Sequence, residues 1–84
     1  MADYIAWNDE ALVHEYRKTQ NQQILALLFE RYADVGFRTA MRFVKNQADA
    51  EDVLQMSYIH FIQNIDLFRE GISIRPWLMK MIVN

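Results

Sequence analysis

The sequence predicts an all-α protein, a compact bundle of three to four helices. Hydrophobic residues make up 52% of the chain, which favours a folded protein over a disordered one. Only two glycines and one proline occur in 84 residues, as expected for long helices with few turns. Apolar side chains also recur at intervals of three and four residues. At this length we expect a single domain over residues 1–84.

The first helix is predicted to begin at Asn8 or Asp9, because both residues are good N-caps. It should end in the polar stretch 19–21. Its apolar stripe consists of Leu12, Val13 and Tyr16.

The second helix is predicted over residues 22–44. Gly36 lies inside it and costs about 1 kcal/mol relative to alanine, unless a neighbouring helix needs close approach there. Arg38, Arg42 and Lys45 share one face of this helix, either as a solvated stripe or as a binding face. The predicted buried face comprises Leu25, Leu28, Phe29, Tyr32, Val35, Thr39, Ala40 and Phe43.

The third helix should start after Asn46 as N-cap and run to about Ile65. Acids in its first turns are favoured by the helix dipole. One apolar series faces the core and comprises Ala50, Val53, Leu54, Ser57, Tyr58, Phe61, Ile62 and Ile65. A second series lies on an adjacent face and comprises Asp52, Gln55, Met56 and Ile59. Met56 and Ile59 either form an exposed contact patch beside the acid and the amide or only widen the core stripe.

Residues 66–75 are predicted to form a loop, and the fourth helix is predicted to begin at Pro76, whose fixed φ suits the first helical position. The apolar face of this helix comprises Trp77, Leu78, Met81 and Ile82.

The composition predicts neither an enzyme nor a metal or cofactor site. The absence of cysteine excludes disulfides and thiolate ligands. There is no glycine-rich phosphate loop, no zinc-ligand spacing and no catalytic Ser/His/Asp set; His14 and His60 lie on different helices and are expected to be structural. No apolar run approaches the roughly 18 residues of a membrane span, and the N-terminus has no signal-peptide pattern. We therefore expect a soluble, cytoplasmic protein with no membrane partner.

Charge is segregated along the chain. Residues 1–34 carry three basic and six acidic groups, and residues 35–48 carry three basic groups and no acid. Residues 49–67 carry four acids and no base, whereas residues 68–84 carry three basic groups and one acid. Faces of opposite sign on one small body favour two partners of opposite charge.

Several motifs together resemble region two of bacterial RNA polymerase sigma factors of the extracytoplasmic-function group, over about residues 22–84. They are residues 28–32 (LFERY), residues 49–55 (DAEDVLQ), Phe68 with Arg69, Trp77 with Leu78, and Asn84. The acidic motif is fairly specific when Trp-Leu and Asn follow at these distances.

The resemblance implies that the third helix docks on the clamp coiled coil of the largest polymerase subunit. The docking residues would be Asp49, Asp52, Gln55 and Met56, and Ile59 would extend their apolar centre. Helix-on-helix recognition of this kind needs an apolar centre rimmed by polar groups.

The resemblance further implies that the loop and the fourth helix melt and read the minus-ten promoter element, capturing a flipped base of the non-template strand. Asn84 would hydrogen-bond a base edge and Phe68 would stack or line the pocket, whereas Trp77 is either core or a wedge. Arg69, Arg75 and Lys80 would contact phosphates.

Two departures from the family pattern, Ile74 and Pro76, fall in the base-reading segment and bear on the promoter sequence read. The basic stretch that follows the asparagine in the family and the second, minus-thirty-five-reading domain are absent from these residues. We therefore expect a fragment of a longer two-domain sigma factor, which alone binds DNA weakly because backbone affinity needs several basic contacts.

Three functional hypotheses follow. The first is a sigma-factor domain that binds polymerase and opens promoter DNA without catalysis. The second is a sigma-like interaction domain that binds polymerase or an anti-sigma protein without reading DNA, which the acidic balance and the altered loop favour. The third is an unrelated helical adaptor whose acidic helix is only well capped.

Overall fold

The computed structural model describes residues 3–83, and over that range it contains helices and no strand, which confirms the all-α prediction. The α-helices are α1 (Asp9–Thr19), α2 (Gln22–Ala40), α3 (Gln47–Asn64) and α4 (Ile74–Val83). Short 3-10 helices span Tyr4–Ala6 and Ile65–Leu67. The described part of the chain measures 40 × 25 × 18 Å along its principal axes.

Asparagine side chains start three of the four helices. Asn8 Oδ1 accepts a hydrogen bond from the Ala11 amide at 2.8 Å, and Asn46 Oδ1 accepts one from the Asp49 amide at 2.8 Å. Asn21 Oδ1 accepts one from the Gln23 amide at 3.0 Å. Each bond satisfies an amide that lacks a partner inside its helix. The predicted starts of α1 and α3 are therefore confirmed.

Helix α2 ends at Ala40, four residues earlier than predicted. The chain then tightens, and the Arg42 and Phe43 amides donate to carbonyls only three residues back, at 3.1 and 2.9 Å. Residues beyond the helix no longer follow its 100° spacing, so the prediction that Phe43 belongs to the buried face is wrong; the ring is 66% exposed. Arg42 and Lys45 consequently lie in the turn and do not extend a stripe from Arg38.

Helix α4 begins at Ile74 and not at Pro76, so the prediction for its start is wrong by two residues. The first four amides of a helix have no intrahelical partner, and a proline in the third position therefore loses no helical hydrogen bond. The early start buries Ile74 in the core. The segment between α3 and α4, residues 65–73, is called the connecting loop below.

The core forms around α2, which packs against α1, α3 and α4. Phe61 of α3 lies fully buried near its centre, with ring centroids 5.9 Å from Phe29 and 6.1 Å from Trp77. The other buried residues of this cluster are Leu12, Val13, Tyr16, Ile24, Leu25, Leu28, Ile65, Phe68, Ile74 and Leu78. Within residues 3–83 no helix is both long and apolar enough to cross a membrane.

Gly36 lies on the face of α2 that packs against α3 and α4. A Cβ atom at this position would lie 2.6 Å from Ile82 Cδ1 and 3.1 Å from Leu54 Cδ2. The sequence left open whether close packing of a neighbouring helix explains the glycine in α2. The structure supports that explanation, because a side chain at this position would meet Ile82 and Leu54.

Replacing Gly36 with leucine should destabilise the protein by up to about 2 kcal/mol. Overpacking a filled core costs about 1–3 kcal/mol, partly offset by about 1 kcal/mol of helix propensity. Urea unfolding followed by circular dichroism measures the change. Ala26→Leu, on an exposed side of the same helix, is the matched control and should change stability by no more than about 0.5 kcal/mol. Equal stability of the two variants would contradict the close approach.

Candidate functional site

The outward face of α3 carries all five residues predicted to dock on polymerase. Asp49, Asp52, Gln55, Met56 and Ile59 are exposed, and the last four follow the i, i+3, i+4, i+7 spacing of one helix face. Met56 is 54% exposed and Ile59 43%. The alternative that the two apolar residues only widen the core stripe is therefore wrong.

The opposite side of α3 fixes the direction in which this face points. Ala50, Ser57 and Phe61 are buried there. The Ser57 hydroxyl donates to the Val53 carbonyl at 2.7 Å, so the single buried polar side chain of the described residues has a partner. Because these residues lock the inner face into the core, the outer face is held toward solvent.

Two open grooves flank α3, and Asp52 lines both of them. The groove between α3 and α4 has a volume of about 900 Å³ and includes Phe43, Met56 and Met81 among its walls. The groove between α2 and α3 has a volume of about 550 Å³ and includes Phe29 and Gln55. The predicted docking face is thus bordered on each side by apolar depressions that a partner side chain can enter.

Phe43 is a surface residue that sequence analysis missed, because it was assigned to the core of an overlong α2. Its exposed ring lies beside Met56 in the α3–α4 groove. A sequence signal was present: a helix to Val44 followed by a cap at Asn46 leaves one residue for a reversal that usually takes two to eight. The short spacing requires α2 to end earlier and places Phe43 in the turn.

The connecting loop holds Phe68 in the core. Phe68 is 4% exposed, and its ring centroid lies 5.1 Å from that of Trp77, which also contacts Phe61. Trp77 is therefore a packing residue in this structure, and the Phe68 ring predicted to stack on a base is covered by the protein's own core. The large apolar side chains that the loop exposes are instead Leu67, at 78%, and Ile72, at 55%.

The basic residues predicted to contact phosphate do not share one face. Arg69 is exposed in the connecting loop, and Arg75 and Lys80 are exposed on α4. Five residues of α-helix correspond to a rotation of roughly 140° beyond a full turn, so Arg75 and Lys80 point in different directions. Lys80 lines the α3–α4 groove together with Asp52 and Met56. Asn84, the predicted base-reading residue, lies outside the described residues.

An ion-pair cluster ties the connecting loop to α1. Arg17 Nη1 lies 2.9 Å from Glu70 Oε2, and Arg17 Nη2 donates to the Phe68 carbonyl oxygen. His14 Nδ1 lies 3.2 Å from Glu70 Oε1. The hydrogen bond from the Arg17 guanidinium holds the pKa of the Glu70 carboxyl below its ordinary value, and His14 acts in the same direction.

A second cluster joins α2 to the start of the chain through the LFERY motif. Arg31 Nη1 lies 2.9 Å from Asp9 Oδ1, and its Nη2 donates to the Ile5 carbonyl at 3.0 Å. The Tyr32 hydroxyl donates to the other Asp9 carboxylate oxygen. Burial raises the pKa of Tyr32 to about 12, and the hydrogen bond and negative charge of Asp9 act in the same direction. These two motif residues therefore hold the N-terminal segment in place.

The two histidines have different surroundings. His14 faces Glu70, whereas His60 is exposed and lines the α3–α4 groove. Over residues 3–83 no three His, Asp or Glu side chains come close enough together to hold a metal ion. The described surface around α3 combines exposed apolar side chains with charged ones.

The family model described as Sigma-70 region 2 matches residues 28–84, which are 57 of the 84 residues. The match includes α2 from Leu28 onward, all of α3, the connecting loop and α4, and it leaves α1 outside. No solved structure matches the chain significantly.

Tyr32 should titrate well above the ordinary range of a tyrosine side chain. Its pKa is raised from 10.0 to about 12, so the neutral phenol is favoured in the folded state. Its contribution to stability is full below pH 10 and is lost as the pH rises through about 12. Ultraviolet titration of the wild type minus Tyr32→Phe should give a midpoint near 12, with circular dichroism confirming that the helices persist. A difference curve centred at 10 would contradict the Asp9 contact.

Proposed function

The chain belongs to the sigma-70 region 2 family, and from this premise we propose that α3 docks on the clamp coiled coil of the largest RNA polymerase subunit while the connecting loop and α4 read and melt the minus-ten element. Domains of this family bind RNA polymerase and recognise the minus-ten promoter element, and they are initiation factors, not an enzyme family. The observation that carries the docking proposal is the exposure of Met56 and Ile59 on the outer face of α3.

The docking part is supported by the composition of that face. Met56 and Ile59 provide an apolar centre, and Asp52 and Gln55 provide a polar border one turn away. A coiled coil presents a ridge of side chains, and the two grooves that flank α3 offer apolar depressions into which such side chains would fit. The carboxylates would pair with arginine or lysine on the clamp and so fix the orientation of the complex.

The DNA part is supported by the chemistry of the connecting loop. Leu67 and Ile72 expose apolar side chains that can wedge between bases, and Arg69 and Arg75 lie close by in sequence to contact phosphates.

Extruding a base costs a few kcal/mol, which contacts to the extruded base must offset. Asn84 would supply a donor and an acceptor for a base edge. The Phe68 ring would take part only by leaving its place against Trp77.

A second candidate function is binding to polymerase or to an anti-sigma protein without reading DNA. It is favoured by the position of Lys80, which lies in the groove with Asp52 and Met56, where a protein partner would cover it. The net charge of −2 also opposes binding to DNA by this chain alone. In both cases the place of action would be the cytoplasm, with polymerase.

Asp52→Lys combined with Gln55→Ala should weaken binding to the isolated clamp coiled coil at least tenfold. Like charges that face each other across an interface cost several kcal/mol, and the introduced lysine would face the arginine or lysine of the clamp. Isothermal titration calorimetry measures the affinity. Asp34→Lys with Gln23→Ala is the matched control, because both residues are exposed on α2 and the charge change is the same. Equal affinities for the two double variants would rule out α3 as the docking face.

Arg69→Ala combined with Arg75→Ala should weaken binding of the polymerase complex to a single-stranded minus-ten oligonucleotide. It should also reduce the slope of log affinity against log salt by about 1.4, since each phosphate contact on a single strand contributes about 0.7. Fluorescence anisotropy over a salt series measures both. Arg38→Ala with Arg42→Ala removes the same charge away from the loop. An unchanged slope in the loop variant would favour the second candidate function.

A further inference from the structure

The connecting loop is held by α1, a helix that lies outside the segment matched by the family. We propose that Arg17 is a positioning residue for promoter reading: its guanidinium bridges the Phe68 carbonyl and the Glu70 carboxylate and so sets the conformation in which the loop presents Arg69. This inference rests on the proposed function of the loop.

The geometry is that of a planar fork spanning two loop residues. One guanidinium nitrogen lies 2.9 Å from Glu70 Oε2, and the other donates to the Phe68 carbonyl oxygen. The two bonds diverge from a rigid group, so both contacts form only when residues 68 and 70 keep a fixed separation and direction. A lysine, with one ammonium on a flexible stem, cannot impose that relation.

Holding residues 68 and 70 determines where the residue between them points. Phe68 has extended backbone angles, φ −70° and ψ 131°. These angles lie near the polyproline II region, where successive side chains are rotated by about 120°, so Arg69 leaves the chain in a different direction from Phe68. Phe68 and Glu70 face the protein, the first in the core and the second on Arg17, and Arg69 between them is exposed. Arg17 thereby keeps Arg69 directed toward solvent, where a phosphate would lie.

Two further features restrain the connecting loop on either side of the residues that Arg17 holds. On one side, the Phe68 ring is packed on Trp77. On the other, Gly71 has φ +93°, a conformation that other residues rarely adopt, so the chain turns directly after Glu70. His14 adds a contact to Glu70 from a side chain that is 68% exposed, and this contact is therefore secondary to that of Arg17.

Arg17 should affect the loop far more than the whole fold. The Arg17 and Glu70 side chains are 29% and 34% exposed, and ion pairs near the surface contribute little to global stability. Removing the guanidinium frees the Glu70 carboxylate and the Phe68 carbonyl oxygen, while the Phe68 ring stays packed in the core. Loop order, promoter reading and global stability are therefore separable by measurement.

The experiment compares Arg17→Ala and Arg17→Lys with Lys18→Ala, the exposed neighbour on α1 that carries the same charge. Trypsin cleavage of the Arg69–Glu70 bond, followed by mass spectrometry, reports loop release. Anisotropy with polymerase core enzyme and a minus-ten non-template oligonucleotide reports reading. Thermal unfolding measures global stability, and affinity for the clamp coiled coil measures the proposed docking face of α3.

We expect Arg17→Ala to speed cleavage at Arg69 at least fivefold and to weaken oligonucleotide binding at least threefold. Its clamp affinity should stay within twofold of wild type, Arg17→Lys should be intermediate, and Lys18→Ala should match wild type. Unchanged cleavage would overturn the anchor, and faster cleavage with unchanged oligonucleotide binding would overturn the positioning role. If wild type itself does not bind the oligonucleotide, the proposed function fails and Arg17's part in reading fails with it, while the cleavage rates still decide whether Arg17 holds the loop.

Discussion

The contact of Phe61 with Phe29 on one side and Trp77 on the other joins three helices at the centre of the molecule. The outer face of α3 has a defined direction only because Phe61 and its buried neighbours fix the inner face. The same aromatic cluster continues through Trp77 to Phe68, which seats the connecting loop. The outer face of α3 and the connecting loop are therefore built on one core. A large loss of packing at Phe61, worth about 3–5 kcal/mol on truncation to alanine, would disturb both surfaces together.

Local chemistry made much of the fold predictable. The Asn8 and Asn46 caps could be identified because capping needs only a side-chain oxygen and amides two or three residues away. The outer face of α3 was predictable for a similar reason, since helical spacing separates Met56 and Ile59 from the series that contains Phe61.

The errors arose where chain geometry overrides periodicity. The apolar spacing continues through Phe43, but the chain must reverse before the cap at Asn46, so α2 stops at Ala40. Proline is typical of the first helical position, but the amide of the third position also lacks an intrahelical partner, so α4 can start at Ile74. Phe68 was assigned to DNA from a resemblance, whereas its burial depends on Trp77, nine residues further along the chain. The bond between Arg17 and Glu70 joins residues 53 apart and leaves no pattern in the sequence.

We propose the outer face of α3 as the polymerase-docking surface, with the connecting loop left free for DNA. Amide chemical-shift mapping by nuclear magnetic resonance, with the isolated clamp coiled coil added to the labelled protein, tests it most directly. Shifts should concentrate at Asp52, Gln55, Met56 and Ile59, with little change at Arg69 and Glu70. Shifts centred on α1 or on the connecting loop, with α3 unperturbed, would contradict it.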